Sequence, residues 1–157
     1  MPYARSPGTW ASPSAGDDLL DGRPRDRRPK VLLEYADYGV AFAAERILER
    51  HGYAVAVCGG PDHLRGRQCP LVASGTCPLV EGADVVLNGL DLTRRENRAV
   101  LAAVRGASGE RRVIVEVSEP VSARHRELLE GTEIVLFPMR AHDLVEAVEH
   151  SLERRSS

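Results

Sequence analysis

The sequence predicts an α/β domain built on a doubly wound, five-stranded parallel sheet. Three observations carry that prediction. Five short β-rich runs are apolar almost without interruption, amphipathic helical patterns separate them, and the alternation begins abruptly at Lys30. Strands that are apolar on both faces belong to a sheet covered by helices on both sides, and a βαβ alternation with right-handed crossovers gives the doubly wound layout.

Residues 1–29 are rich in Pro, Gly, Ser, Asp and Arg and show no apolar period. Such a segment buries too little surface to offset its ordering entropy and reads as a disordered tail. Its single tryptophan, Trp10, is assigned no role. The domain then spans residues 30–155, with strands over 31–35, 53–58, 84–88, 113–117 and 133–137. The first helical pattern, 41–50, places Phe42, Ile47 and Leu48 on one side and ends at His51-Gly52, where the glycine suits a left-handed cap. Thr93-Arg94-Arg95-Glu96 has the form of a capping box and opens a helix whose Val100, Leu101 and Val104 face inward. A shorter helix from about Ser122 carries Leu128 and Leu129 and stops at Gly131. The last, 141–154, sets Leu144, Val145, Val148 and Leu152 against Glu146, Glu149 and Glu153. Between the second and third strands, residues 59–82 have no helical period. They form a Cys/Pro/Gly-rich loop in which Cys69-Pro70-Leu71-Val72 returns as Cys77-Pro78-Leu79-Val80.

Composition narrows the function classes. With 43% hydrophobic and 28% charged residues and a formal net charge of -2, the 157-residue chain is ordinary globular material for one domain. Lys30 is the only lysine, and the arginines are interleaved with acids, so nucleic acid is not an expected partner. No run approaches the roughly 20 apolar residues that span a bilayer, and a cytoplasmic location is expected without membrane association. Three cysteines fit a reducing compartment. No Ser-His-Asp or paired-carboxylate spacing suggests catalysis, and His51, His125, His142 and His150 fall on helix ends or polar faces. The chain is read as a non-enzyme.

From Lys30 to Arg155 the order of elements resembles the receiver domain of two-component response regulators. Lys30-Val31-Leu32-Leu33 and His51-Gly52-Tyr53-Ala54-Val55 resemble its opening. Ile134-Val135-Leu136-Phe137-Pro138, followed by Asp143-Leu144, resembles its close. The resemblance implies a flavodoxin-like fold with strand order 2-1-3-4-5, and a pocket at the C-terminal edge of the sheet rimmed by Asp37, Asn88, Ser118 and Pro138. It also implies which residues phosphoryl transfer would need: an acidic pair for Mg2+, an acceptor aspartate, a hydroxyl and a lysine, because a carboxylate accepts a phosphoryl group only if cations neutralise the charge. Here the acidic pair falls on Tyr35 and Ala36, leaving Asp37 nearby, and the acceptor falls on Gly89 or, with a slip, Asn88. The lysine position is Phe137, before Pro138, and only Ser118 matches. Asp91 lies past the strand end and reads as a helix lead-in.

The other chemistry on the chain is sulfur. Cys58, Cys69 and Cys77, with His63 between the first two, could hold zinc or an iron-sulfur cluster, although no Cys-x-x-Cys is present. Alternatively, Cys69 and Cys77 could form a redox-sensitive disulfide stiffened by the following prolines, or all three could be small apolar anchors. No cofactor is expected otherwise. The leading expectation is a pseudo-receiver: a non-phosphorylatable signalling module acting through protein-protein interaction, with a protein partner or a second copy docking on helices 122–130 and 141–154. The alternatives are a redox or metal sensor on the cysteine loop, and a small-molecule site at the C-terminal edge of the sheet.

Overall fold

The computed structural model describes Trp10, residues 28–108 and residues 112–155. The remainder of the expected N-terminal tail lies outside the described residues. Five parallel strands form one sheet in the order β2-β1-β3-β4-β5: β1 Lys30–Glu34, β2 Ala54–Cys58, β3 Val85–Asn88, β4 Val113–Val117 and β5 Glu133–Leu136. The flavodoxin-like order implied by the sequence is the one observed. Helices cover both faces because each central strand sends apolar side chains both ways. Val31, Leu33, Val85, Leu87 and Ile114 pack under α1 (Tyr38–Arg50) and α7 (Ala141–Arg155) with Ala44, Leu48, Leu144 and Val148. On the opposite face, Leu32, Val86, Val113 and Val115 pack under α4 (Arg95–Ser108), whose Val100, Leu101 and Val104 are buried as expected. At roughly 1.5–3 kcal/mol per fully buried aliphatic side chain, these two layers supply the driving force of the fold.

Several sequence expectations are corrected. The second crossover is not a structureless loop. It folds into a 3-10 turn, His63–Arg65, and two short helices, α2 (Pro70–Ser74) and α3 (Pro78–Gly82). The repeated Cys-Pro-Leu-Val is the repeated start of a helix: Cys69 and Cys77 occupy the N-cap positions and each proline sits in the first turn, where its missing N–H costs nothing. Leu71, Leu79 and Val80 then fill the core beneath. Five-residue helices are too short to show an apolar period, so the sequence pattern could not reveal them.

Thr93 does not cap α4. The helix starts two residues later, and the Thr93 N–H and hydroxyl both bond the Asp91 carboxylate, at 3.0 and 2.7 Å. The helix expected from Ser122 breaks at His125 into α5 (Glu119–Arg124) and α6 (Arg126–Leu129). With so little helix over it, β5 is not buried on both faces: Ile134 and Leu136 are 42% and 52% exposed. Phe42 points outward from α1 with the Arg46 guanidinium 6.0 Å from its ring, because Ala41, Ala44 and Leu48 are the residues that meet the sheet. Trp10, given no role above, packs partly buried against the core at Gly82, and the Lys30 ammonium lies 5.7 Å from its ring.

Candidate functional site

The C-terminal ends of β1 and β3 carry a pair of polar residues that the sequence pattern hid. Glu34 on β1 is aligned with Asn88 on β3 and with Cys58 on β2, so all three side chains leave the same face of the sheet in one row. Glu34 is 3% exposed and Asn88 is fully buried, and the Asn88 side-chain amide donates to Glu34 Oε2 at 2.7 Å. Burial pushes the Glu34 carboxyl up to about 7, the Asn88 hydrogen bond pulling the other way. Among the described residues, Asn88 Oδ1 has no hydrogen-bond partner. A glutamate inside an otherwise apolar run, Val31 to Tyr35, was the signal available for this pair.

Tyr35, one residue on, projects to the opposite face and is 4% exposed. Its ring lies against Gly89. A Cβ at Gly89 would stand within bonding contact of the ring, 2.1 Å from Cε1 and 2.6 Å from Cδ1 and Cζ. Gly89 therefore has no room for any side chain while the tyrosine is there. The Tyr35 hydroxyl is buried and has no hydrogen-bond partner among the described residues. Burial, and then the neighbouring Glu116 carboxylate, hold its pKa well above the ordinary phenol value. Glu116 itself accepts the Met139 N–H at 3.1 Å.

The remaining candidates disperse. Asp37 is the N-cap of α1, its Oδ1 accepting the Val40 N–H at 3.0 Å, and this local duty explains an acid after β1. Ser118 stands half-buried at the start of α5, with its hydroxyl not engaged in capping. Phe137 is 66% exposed, and the Phe137-Pro138 peptide is cis. Asp91 is occupied by Thr93, whose hydrogen bonds lower its pKa. The open cleft at this end of the sheet lies to the other side, between the β1–α1 and β2–α2 loops, and none of Asp37, Asn88, Ser118 or Pro138 lines it.

The cysteines come closer together than their sequence spacing suggests. Cys77 is buried in the core formed around Leu32 and Val86, and Cys58 and Cys69 pack against it as separate thiols. Burial is the main reason that the Cys58 thiol is pushed up to about 11, with Glu34, Cys69 and Cys77 adding to it and the Gly60 N–H opposing. A thiol so raised is a poor nucleophile at neutral pH. His63 is not part of this group: its ring pairs with Glu96 at 3.1 Å and is largely exposed. Among the described residues, no three His, Cys, Asp or Glu side chains form a group that could hold a metal ion.

These elements, in this order and register, define a receiver-like α/β domain. A response-regulator receiver domain protein from Clostridium thermocellum superposes with a TM-score of 0.60 at 18% identity, covering 82% of this chain and 97% of that one. A CheY-like receiver from Methanospirillum hungatei gives 0.61 at 16% identity over 82% and 97% of the two chains. A structure described as adenylate cyclase from Rhodopirellula baltica gives 0.60 at 17% identity over 81% and 89%. At such identities the likeness is one of fold. No protein-family model and no curated protein matches the sequence.

Proposed function

We propose that the chain is a signalling or regulatory module of receiver-like fold that takes up no phosphoryl group and acts by binding a protein. The observation that carries this reading is the Tyr35 ring over Gly89, which fills the place of an acceptor carboxylate with an apolar group. The absence of any lysine other than Lys30 supports it, since no ammonium is left to neutralise a phosphoryl group at that edge. Incubation with acetyl phosphate and Mg2+ is expected to leave the intact mass unchanged, and beryllofluoride with Mg2+ to leave the amide spectrum unchanged. A gain of one phosphoryl mass on an aspartate overturns the reading.

The face offered to a partner is the exposed side of β5 with α5, α6 and α7. Ile134, Leu136 and Phe137 are exposed together there, and a row of apolar side chains beside charged helices is the composition of an interface core with a polar rim. Leu136→Arg is expected to change stability by less than about 0.5 kcal/mol, since the residue is half in water, and to abolish self-association followed by light scattering. A wild-type chain that stays monomeric at every concentration discards the homodimer.

A further inference from the structure

One cleft of the molecule lies outside the receiver-like site. It has a volume of about 360 Å³ and is walled by Ala36 and Tyr38 after β1, residues 59–65 and Arg67 after β2, and Arg94 after β3. This is the size range of small-ligand pockets. We propose that it binds the phosphate group of a small phosphate monoester, with the rest of the ligand lying on Tyr38 and Leu64. The inference is independent of the function proposed above.

Charge is the first argument. Arg65, Arg67, Arg94 and His63 all line the cleft, and Asp62 is the one acidic side chain among its lining residues. Asp62 Oδ1 is held by the Leu64 and Arg65 N–H groups at 3.1 and 3.4 Å, and Oδ2 lies 3.7 Å from Arg65. Arg94 is held by Glu96 at 2.7 Å. With two acids set against three arginines, one positive charge remains. Arg67 carries it: no ion pair to Arg67 occurs among the described residues, and its guanidinium lies over Gly59. A guanidinium with unused donors facing a concave wall suits bidentate capture of phosphate.

Order is the second. Asp62 and Arg67 exchange two backbone hydrogen bonds, at 2.8 and 3.0 Å, closing the loop into a small ring that Gly66 completes with φ 63°. Glu96 then bridges this ring to the opposite wall by accepting from His63 and Arg94. His63 and Arg94 are thus held before a ligand arrives, which reduces the ordering cost of binding.

The mouth of the cleft is the third. Leu64 is 99% exposed and Tyr38 56% exposed. Two apolar groups held in water beside a cationic wall fit a ligand with an anionic end and a flat or apolar end.

The test uses the full chain with three probes: inorganic phosphate, adenosine monophosphate and adenosine, each followed by amide chemical shifts. Saturable shifts centred on residues 59–67 are expected from both phosphates, the monoester binding more tightly and adenosine least. Saturation by inorganic phosphate alone, with the monoester no tighter, overturns the ester and assigns the site to the free ion. Arg67→Glu and Arg94→Glu should each weaken binding at least tenfold, whereas Arg50→Glu, the same charge change on α1, should not; melting temperatures verify that each variant is folded. No shifts up to about 10 mM, corresponding to less than about 3 kcal/mol of binding, or equal weakening by Arg50→Glu, refutes the site.

Discussion

Gly89→Ala is expected to destabilise the domain by about 2–3 kcal/mol, the upper part of the range for forcing one methyl group into a filled core. The added carbon would stand 2.1 Å from Tyr35 Cε1, so the ring or the β3 backbone must move. The ring has no easy exit, because Tyr35 is 4% exposed and packed within the layer that contains Leu33, Leu87 and Ile114. Tyr35→Ala alone should cost about 3 kcal/mol or more through the cavity it leaves. Made in the Tyr35→Ala background, Gly89→Ala should cost less than about 0.5 kcal/mol, giving a coupling of about 2 kcal/mol between the two positions. Urea unfolding of the four proteins measures the cycle. Additive effects would mean that the tyrosine does not occupy the acceptor space, and would remove the main support for a module that cannot be phosphorylated.

Glu34→Gln is expected to stabilise the domain above pH 7 by about 3 kcal/mol and to flatten its pH dependence. Burial holds the carboxyl at about 7 in the folded chain, against 4.5 when it is free in water. Between those limits the folded state binds more protons than the unfolded state, so stability falls as pH rises from about 4.5 to about 7 and is level beyond. At 1.36 kcal/mol per pH unit, the whole effect is roughly 3 kcal/mol. Glutamine cannot ionise, and its amide can accept from Asn88 while offering an N–H to Asn88 Oδ1, which has no partner in the wild type. Chemical denaturation at pH 5 and pH 8 tests this. Equal pH slopes for wild type and Glu34→Gln would show that the carboxylate is ionised, or solvated, in the folded state.

The scaffold was legible in the sequence because its signals are local and repeated. Apolar runs at 31–33, 85–87 and 113–115 match strands covered on both sides, and the stripes at 41–50 and 141–154 mark helices that cover one face. Likewise, Asn88-Gly89 where the resemblance implies an acceptor aspartate, the single lysine and Phe137 before Pro138 are matters of residue identity, and they are sufficient to raise the question of lost phosphoryl transfer.

Tertiary structure decided what depends on which residues become neighbours. Glu34 and Asn88 are 54 positions apart, and only the pairing of β1 with β3 turns two unremarkable residues into a buried hydrogen bond. The close approach of the Tyr35 ring to Gly89, the packing of Cys58 and Cys69 against the core that holds Cys77, and the pairing of His63 with Glu96 have the same origin. The exposure of β5 came from a helix too broken to cover it. Periodicity reports whether a side chain faces inward or outward, which the chain encodes over a few residues. It carries no information on what lies across the sheet, because that contact is set by long-range packing.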